Sequence, residues 1–363
     1  MSNLSLVMIV KNESGKLKRC LDSVKDLVNE MIIVDTGSED DTKEIAQSYG
    51  AKIFDYIWIQ DFSKARNFAL QHSTGDWNLV LDGDEYLNEN ECEKIKEFIK
   101  GPNRIGRIKQ INTFMQDGEI KESQAIISRL FPKGLYYVGA IHEQVHSIEL
   151  PRINTNIHIY HDGYFQTNKS DRNIKLLEHV ISSNPNDAYM LFQLANEYRI
   201  LGEYEKANIF FQKSYALITP YDGFKSLLVV GYLYNIIASK SNWKQGLDII
   251  SKEINNLSDY PDFYFVCGYF YMELVFSNVN EYIHYFSNIE QFYLKCLEIG
   301  ETDKYDSVKG TGSFRAAYNL GVFYETNNNL IKAKHYYELS AAQKYEPAIN
   351  RLNNCNFEIN NNI

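Results

Sequence analysis

Leu81-Asp82-Gly83-Asp84-Glu85 closes the apolar run Trp77-Asn-Leu-Val-Leu81 and sets two carboxylates one residue apart at a strand end. Carboxylates so spaced can point into one cleft and hold a hard divalent cation, which neutralises a diphosphate leaving group. Most acidic turns are merely solvated, so the company of this one matters. Upstream stand Asp61-Phe62-Ser63-Lys64-Ala65-Arg66-Asn67 and Ile32-Ile33-Val34-Asp35-Thr36-Gly37-Ser38, the latter running into Asp40-Asp41-Thr42. Asp35, just past a strand and ahead of a glycine-containing turn, is placed to hydrogen-bond a base or ribose, while Asp41-Thr42 is placed to cap the next helix. Helix capping alone explains residues 36–42 as well as a functional role does.

Histidines stand near carboxylates further on. His142-Glu143-Gln-Val-His146 matches the zinc-protease pattern H-E-x-x-H, which works only when both histidines share one helix face. Tyr136-Tyr-Val138 before it and Ser147-Ile-Glu-Leu-Pro151 after it predict strand or loop, and this sets the protease reading aside. His161, as a neutral imidazole, suits a coordination position that Asp82 and Asp84 leave open. His158 and His161 point to opposite faces of an extended segment, so only one of them serves such a site. A hydrogen-bonded structural role fits each histidine equally well.

The elements that must position these groups follow a regular order. Leu4–Val10, Met31–Val34, Ala51–Phe54 and Trp77–Leu81 are strand-length apolar runs, and Gly15–Val28, Asp41–Tyr49 and Ser63–His72 have helical apolar spacing. Alternation of this kind predicts a largely parallel sheet with helices on both faces, whose ligands sit beyond the carboxyl ends of the strands. From Leu135 to Tyr164 the chain is β-rich and rich in Tyr and His; after Asn168 it turns to long helical patterns. There Ala195, Tyr198, Gly202, Ala207, Phe211 and Ser214 recur in register as Gly321, Tyr324, Asn328, Ala333, Tyr337 and Ser340, the small-and-aromatic logic of a helix-turn-helix solenoid. The interval between the copies is not a multiple of the usual period of about 34 residues, so the helices between them are irregular or carry insertions. The expected division is 1–165 for the α/β domain, 166–352 for a TPR-like helical domain and 353–363 for a flexible Asn-rich tail.

Bulk composition narrows the class. No stretch approaches the roughly 18 uninterrupted apolar residues of a membrane helix. The opening apolar run has no basic segment before it and no cleavage site after it, which predicts a cytoplasmic protein. The formal charge of −10, from 37 basic and 47 acidic residues without a long basic block, argues against nucleic acid as a partner. Five scattered cysteines without a CxxC pair predict reduced thiols and no disulfide framework.

Val7-Met-Ile-Val-Lys11-Asn12-Glu13, Val34-Asp-Thr-Gly-Ser38, Ser63-Lys-Ala-Arg66-Asn67 and Leu81-Asp-Gly-Asp-Glu85, in that order, resemble the family 2 glycosyltransferases of GT-A fold. Ser63–Asn67, Ile141-His142-Glu143 and Ile159-Tyr-His161-Asp-Gly163-Tyr are similar to the SunS-like peptide glycosyltransferases, in which a GT-A domain is joined to TPR-like helices. The resemblance implies a metal-dependent, inverting transfer from a UDP-sugar, UDP-glucose or a UDP-hexosamine, with Mn2+ or Mg2+ as cofactor. It implies a donor held by Val10, Asn12, Glu13, Asp35, Arg66, Asp82 and Gly83, and a cation held by Asp84, Asp82 and His161. Inversion needs one base, for which Glu143 beside His142 is the first candidate, with Glu85 or Asp84 behind it. The acceptor expected is a peptide or protein side chain, Cys sulfur or Ser/Thr oxygen, presented by the helical domain, which is also where a homodimer would form. A surface-polysaccharide or flagellin glycosyltransferase is the enzymatic alternative, and a TPR scaffold with a vestigial catalytic domain the non-enzymatic one.

Overall fold

The computed structural model describes residues 2–116, 119–162 and 170–354, which divide into two compact units, Met1–Leu176 and Leu177–Ile363. The expected junction at 165–166 and most of the expected tail lie outside the described residues, as do Gly163 and Tyr164.

In the first unit the chain runs β1 (Leu4–Val10), α1 (Leu17–Val24), β2 (Glu30–Asp35), α2 (Thr42–Ser48), β3 (Lys52–Asp55), α3 (Phe62–His72), β4 (Trp77–Val80), β5 (Glu85–Tyr86), α4 (Glu89–Phe98), β6 (Ile105–Gln116), β7 (Glu119–Pro132), β8 (Tyr136–Val138), β9 (Gln144–His146) and β10 (Arg152–His161). Strands pair in the order β3-β2-β1-β4-β7-β6-β10-β5, and β8 pairs with β9 separately. The first four are mutually parallel, as expected. Beyond β4 the sheet is mixed: β7 is antiparallel to β4 and to β6, β10 runs parallel to β6, and β5 antiparallel to β10.

Strand β1 is buried on both faces, as a central parallel strand must be. Leu4, Leu6, Met8 and Val10 face Leu17, Cys20, Leu21 and Val24 of α1, whose i, i+3, i+4, i+7 spacing makes one apolar stripe. Val7 faces the other way with Ile32, Val34 and Ala69. The connections leave β1 toward β2 and β3 and then return across it to β4, so a topological switch falls between β1 and β4, where open α/β sheets bind ligands.

The second unit contains paired helices. The long helices are α5 (Ser170–Ser183), which begins in the first unit, then α6 (Ala188–Ile200), α7 (Tyr204–Leu217), α8 (Lys225–Ser239), α9 (Trp243–Glu253) and α10 (Pro261–Ser277). After the short α11 (Val279–Tyr282) come α12 (Phe286–Ile299), α13 (Phe314–Thr326), α14 (Leu330–Ala341) and α15 (Glu346–Asn354). Packing joins α6 to α7, α10 to α12 and α13 to α14. The two sequence copies are structurally equivalent in detail. Ser214 Oγ donates to Ala188 O and Ser340 Oγ to Phe314 O, both at 2.7 Å, and Gly202 and Asn328 both turn the chain in the left-handed region. A Cβ on Gly321 would stand 2.5 Å from the ring of Tyr337, the close approach its position requires. Residues 278–285 and 300–313 are the insertions that break the period.

Asp262, in the first turn of α10, is 5% exposed, and burial pushes its carboxyl up to about 7 against the hydrogen bonds from Thr311 and Val308. The neutral acid suits its surroundings. Val308 N donates to Oδ2 at 2.9 Å, Oδ1 lies 2.6 Å from Thr311 Oγ1, and Thr311 Oγ1 lies 2.9 Å from Val308 O. A proton on Oδ1 is donated to Thr311, whose own hydroxyl hydrogen passes on to Val308 O, leaving every group satisfied. Because the folded value lies above the unfolded one, stability is full below about pH 4 and falls as pH rises to about 7. The loss is a few kcal/mol in order of magnitude, since a tenfold change in proton affinity on folding corresponds to about 1.4 kcal/mol. Melting between pH 5 and 8 should therefore show a downward slope that Asp262→Asn flattens; equal slopes in the two proteins would refute it.

Candidate active site

The carboxyl ends of β2, β1 and β4 lie side by side, with Val10 in register with Asp35 and Val7 with Val80. Asp35 is buried. Its Oδ1 accepts from Gly37 N at 2.9 Å and Ser38 N at 2.8 Å, while its Oδ2 is sealed from solvent and has no hydrogen-bond partner. Asn12, in the left-handed region, ties the loop after β1 to the loop after β2: its N–H donates to Ser38 Oγ at 2.9 Å and its Oδ1 accepts from Glu39 N at 2.8 Å. Glu13 N donates to Thr42 Oγ1 at 2.8 Å. The helix cap differs from expectation, because Asp41 makes no side-chain capping bond and Asp40 accepts from Thr42 N instead. Val10 differs too. Its side chain is in the core and its carbonyl accepts from Thr36 N and Oγ1, so it shapes the cleft floor without offering a polar atom.

Gly83 sits at the switch point itself. A Cβ there would stand 2.8 Å from Glu13 Cγ, so glycine lets the β4 loop close on the β1 loop. Asp82 and Asp84 diverge on either side of it. Asp84 Oδ2 lies 3.4 Å from His161 Nε2, and both side chains are nearly buried. His161 Nδ1 lies 2.7 Å from Asn112 Oδ1, an atom that only accepts, so Nδ1 carries a hydrogen and Nε2 is the atom turned toward Asp84, an N–H donor while the ring is charged and a lone pair once it is neutral. Burial lowers the His161 value, but the hydrogen bond and charge of Asp84 outweigh it and raise it above the ordinary imidazole range. An imidazole lone pair facing a carboxylate, oriented from behind by an amide, fits a divalent cation whose remaining positions come from phosphate or water. Among the described residues no group of three or more His, Cys, Asp or Glu side chains is poised around one point, and Asp82 does not stand with Asp84 and His161 in this structure.

Asp82 is turned elsewhere. Its Oδ1 accepts from Arg66 Nη2 at 2.7 Å and its Oδ2 from Arg129 Nη2 at 2.6 Å. Burial works to raise the Asp82 carboxyl, yet the charges of Arg129 and Arg66 hold it far below the ordinary carboxylate range. Arg66 comes from the inward face of α3, which Asp61 caps by accepting from Lys64 N. The same helix docks the β8 segment: Asn67 Nδ2 donates to Tyr137 O at 2.9 Å, Tyr137 N donates to Asn67 Oδ1 at 2.7 Å, and Phe62 N donates to Ala140 O at 2.8 Å. This docking brings Glu143 onto Arg66, whose Nε donates to Glu143 Oε1 at 2.5 Å.

His142 lies in the left-handed region and His146 in β9, so the two histidines share no helix. His158 faces Glu91, its N–H donating to Oε2 at 2.9 Å, while His161 faces Asp84, which is the divergence expected of an extended segment. Glu85 is 1% exposed; it accepts from Asp82 N at 2.8 Å and from Gln110 Nε2, and Arg129 Nη2 stands 3.4 Å away. Encased in this way it braces the Asp82 turn from beneath, and the expectation of Glu85 as a reserve base does not match its surroundings. Sequence reasoning missed Arg129, Gln110 and Asn112, all supplied by β6 and β7; an arginine followed directly by the core residues Leu130 and Phe131 was the available signal for Arg129.

A sheet with its crevice at the β1/β4 switch, a carboxylate with an unfilled acceptor at the end of β2, and an Asp–His pair beyond β4 give the first unit the arrangement of a GT-A type domain. Residues 5–170 match the model of glycosyl transferase family 2, and residues 188–218 and 314–342 match that of the tetratricopeptide repeat. This chain thus carries a family 2 glycosyltransferase domain followed by tetratricopeptide repeats. It is 35% identical over 211 residues to a TPR repeat-containing protein of Synechococcus elongatus, covering 53% of this chain and 52% of that one. It is 30% identical over 220 residues to the prophage-derived glycosyltransferase SunS of Bacillus subtilis, covering 57% of this chain and 52% of that one. The chain spans about half the length of the curated relatives it matches. Among solved structures, glucosyl-3-phosphoglycerate synthase from Mycobacterium tuberculosis, in complex with Mn2+ and UDP-glucose, is 22% identical, covering 31% of this chain and 44% of that one at a TM-score of 0.27, too low a likeness for anything to rest on. No helix among the described residues is long and apolar enough to cross a membrane.

Proposed function

We propose that the protein is a glycosyltransferase that moves a sugar, with inversion, from a UDP-sugar to a side chain of a peptide or protein. One observation carries this reading. The unpartnered Oδ2 of Asp35 and the Asp84–His161 pair lie at the same end of the sheet, one suited to a hydrogen-bond donor of a base or ribose, the other to the charged end of a nucleoside diphosphate.

In this reading Asp35 accepts from the nucleoside, with its Oδ1 held by two backbone N–H groups so that Oδ2 stays aimed. Asp84 and His161 would hold Mn2+ or Mg2+, which when bound neutralises charge building on the leaving diphosphate. Asn112 keeps His161 in the tautomer that ligation needs. Glu143 is the base for the acceptor hydroxyl or thiol, and its ion pair with Arg66 fixes its orientation and occupies Oε1. Proton removal through Oε1 requires the Arg66 contact to loosen as the acceptor arrives. The tetratricopeptide repeats favour a polypeptide acceptor, because such arrays present extended surfaces to extended chains.

UDP release from a panel of UDP-sugars, with and without Mn2+ or Mg2+, tests the reading. Donor-selective hydrolysis that needs the cation, and an inverted anomeric configuration in any product, is the expected result. A folded protein that binds none of these donors would overturn it.

A further inference from the structure

We propose that Arg129 is a positioning residue which, with Arg66, keeps Asp82 away from a divalent cation until an anionic diphosphate arrives to draw the guanidiniums off. This rests on the donor reading above. Each Asp82 oxygen is held by a different guanidinium, Oδ1 by Arg66 at 2.7 Å and Oδ2 by Arg129 at 2.6 Å. Charge-assisted bonds of that length occupy the carboxylate on both sides, so a cation seated between Asp84 and His161 finds Asp82 already engaged.

The same place shows where an anion would go. Arg66 is 5% exposed and its Nη1 is sealed from solvent without a hydrogen-bond partner. Tyr137, whose ring centroid lies 5.6 Å from Arg66 Cζ, is 4% exposed and its Oη is likewise sealed and unpartnered. Two neighbouring buried donors without acceptors are rare in a finished site, and phosphate oxygens are the acceptors that would complete them. Both atoms are closed off, so an anion reaches them only if Arg66 swings, and that swing breaks its bond to Asp82. Arg129 then holds Asp82 by one contact, with Glu85 as its alternative partner 3.4 Å away. Exchange of partners is thus available to both arginines without leaving either charge unpaired.

Mn2+ binding to the full chain, read from the free-ion paramagnetic resonance signal, tests this without turnover. Wild-type protein should bind Mn2+ weakly alone and about tenfold more tightly with UDP, after correction for the complex that UDP and Mn2+ form in solution. Arg129→Gln should bind Mn2+ about tenfold more tightly than wild type without nucleotide, and adding Asp82→Asn should remove the gain. A folded Arg129→Gln that binds no tighter, or a gain that survives Asp82→Asn, would overturn the proposal, the latter by showing a general charge effect. Should Arg129→Gln not fold, the wild-type measurement decides: independent binding of UDP and Mn2+ refutes the gate while the donor reading stands. Wild-type protein that binds neither would remove the donor reading, and this inference with it.

Discussion

Asp84→Asn should lower sugar-transfer turnover by about 10³-fold, the scale on which removing one group that stabilises developing charge is felt, while leaving the melting temperature almost unchanged. The substitution is nearly isosteric and keeps a polar group beside His161. What it removes is the negative charge beside His161, which the proposed cation would need. Among the described residues no arginine or lysine pairs with Asp84 at short range, so the change orphans no guanidinium or ammonium, in contrast to Asp82, and His161 can answer it by shedding its proton. His161→Ala should act in the same direction and less strongly, since it removes a neutral ligand. Cation titrations monitored by UDP release separate the two: Asp84→Asn should not be rescued by millimolar Mn2+, whereas His161→Ala should be partly rescued. Turnover by Asp84→Asn within tenfold of wild type would remove Asp84 from the site's charge-stabilising role.

Much of this site was legible in the sequence because its parts follow strands with unambiguous periodicity. Asp35 and Asp82 could be placed at strand ends since β2 and β4 are continuous apolar runs, and Arg66 could be placed on α3 since Ser63–His72 has helical apolar spacing. The hairpin of β6 and β7 was not legible. Residues such as Arg107, Lys109 and Gln124 keep it half-exposed along most of its length, so it lacks the apolar alternation that announces a strand. With the hairpin went Asn112 and Arg129, whose roles depend on pairing across the sheet with residues far away in sequence. The partners of the two aspartates were hidden for a related reason. Spacing says that Asp82 and Asp84 leave the same strand, but their partners are chosen by α3, β7 and β10, and those assign Asp82 to arginines and Asp84 to a histidine.

Arg66→Met should destabilise the first unit by about 3–5 kcal/mol, the range for removing one member of a buried ion pair. Methionine matches the bulk of the arginine stem, so the cost is electrostatic and not a cavity. Glu143 loses its guanidinium, and Asp82 keeps only Arg129, which it must share with Glu85. Three carboxylates then crowd one remaining cation, and Glu85 and Glu143 are too little exposed for water to screen them well, although Asp82 is partly exposed. Arg66→Lys should recover only part of the loss, because an ammonium on a flexible stem cannot span Asp82 and Glu143 as the fork does. Arg66→Met combined with Glu143→Gln should be more stable than Arg66→Met alone, since the second change removes the carboxylate left without a partner. Wild type, Arg66→Met, Glu143→Gln and the double variant form a double-mutant cycle in urea unfolding, and a coupling energy near zero between positions 66 and 143 would show that the ion pair contributes nothing to the fold. A large coupling would fix the sense of the catalytic argument as well. A base bound that strongly to Arg66 can act only after the arginine is drawn away, so donor binding would have to come before acceptor activation.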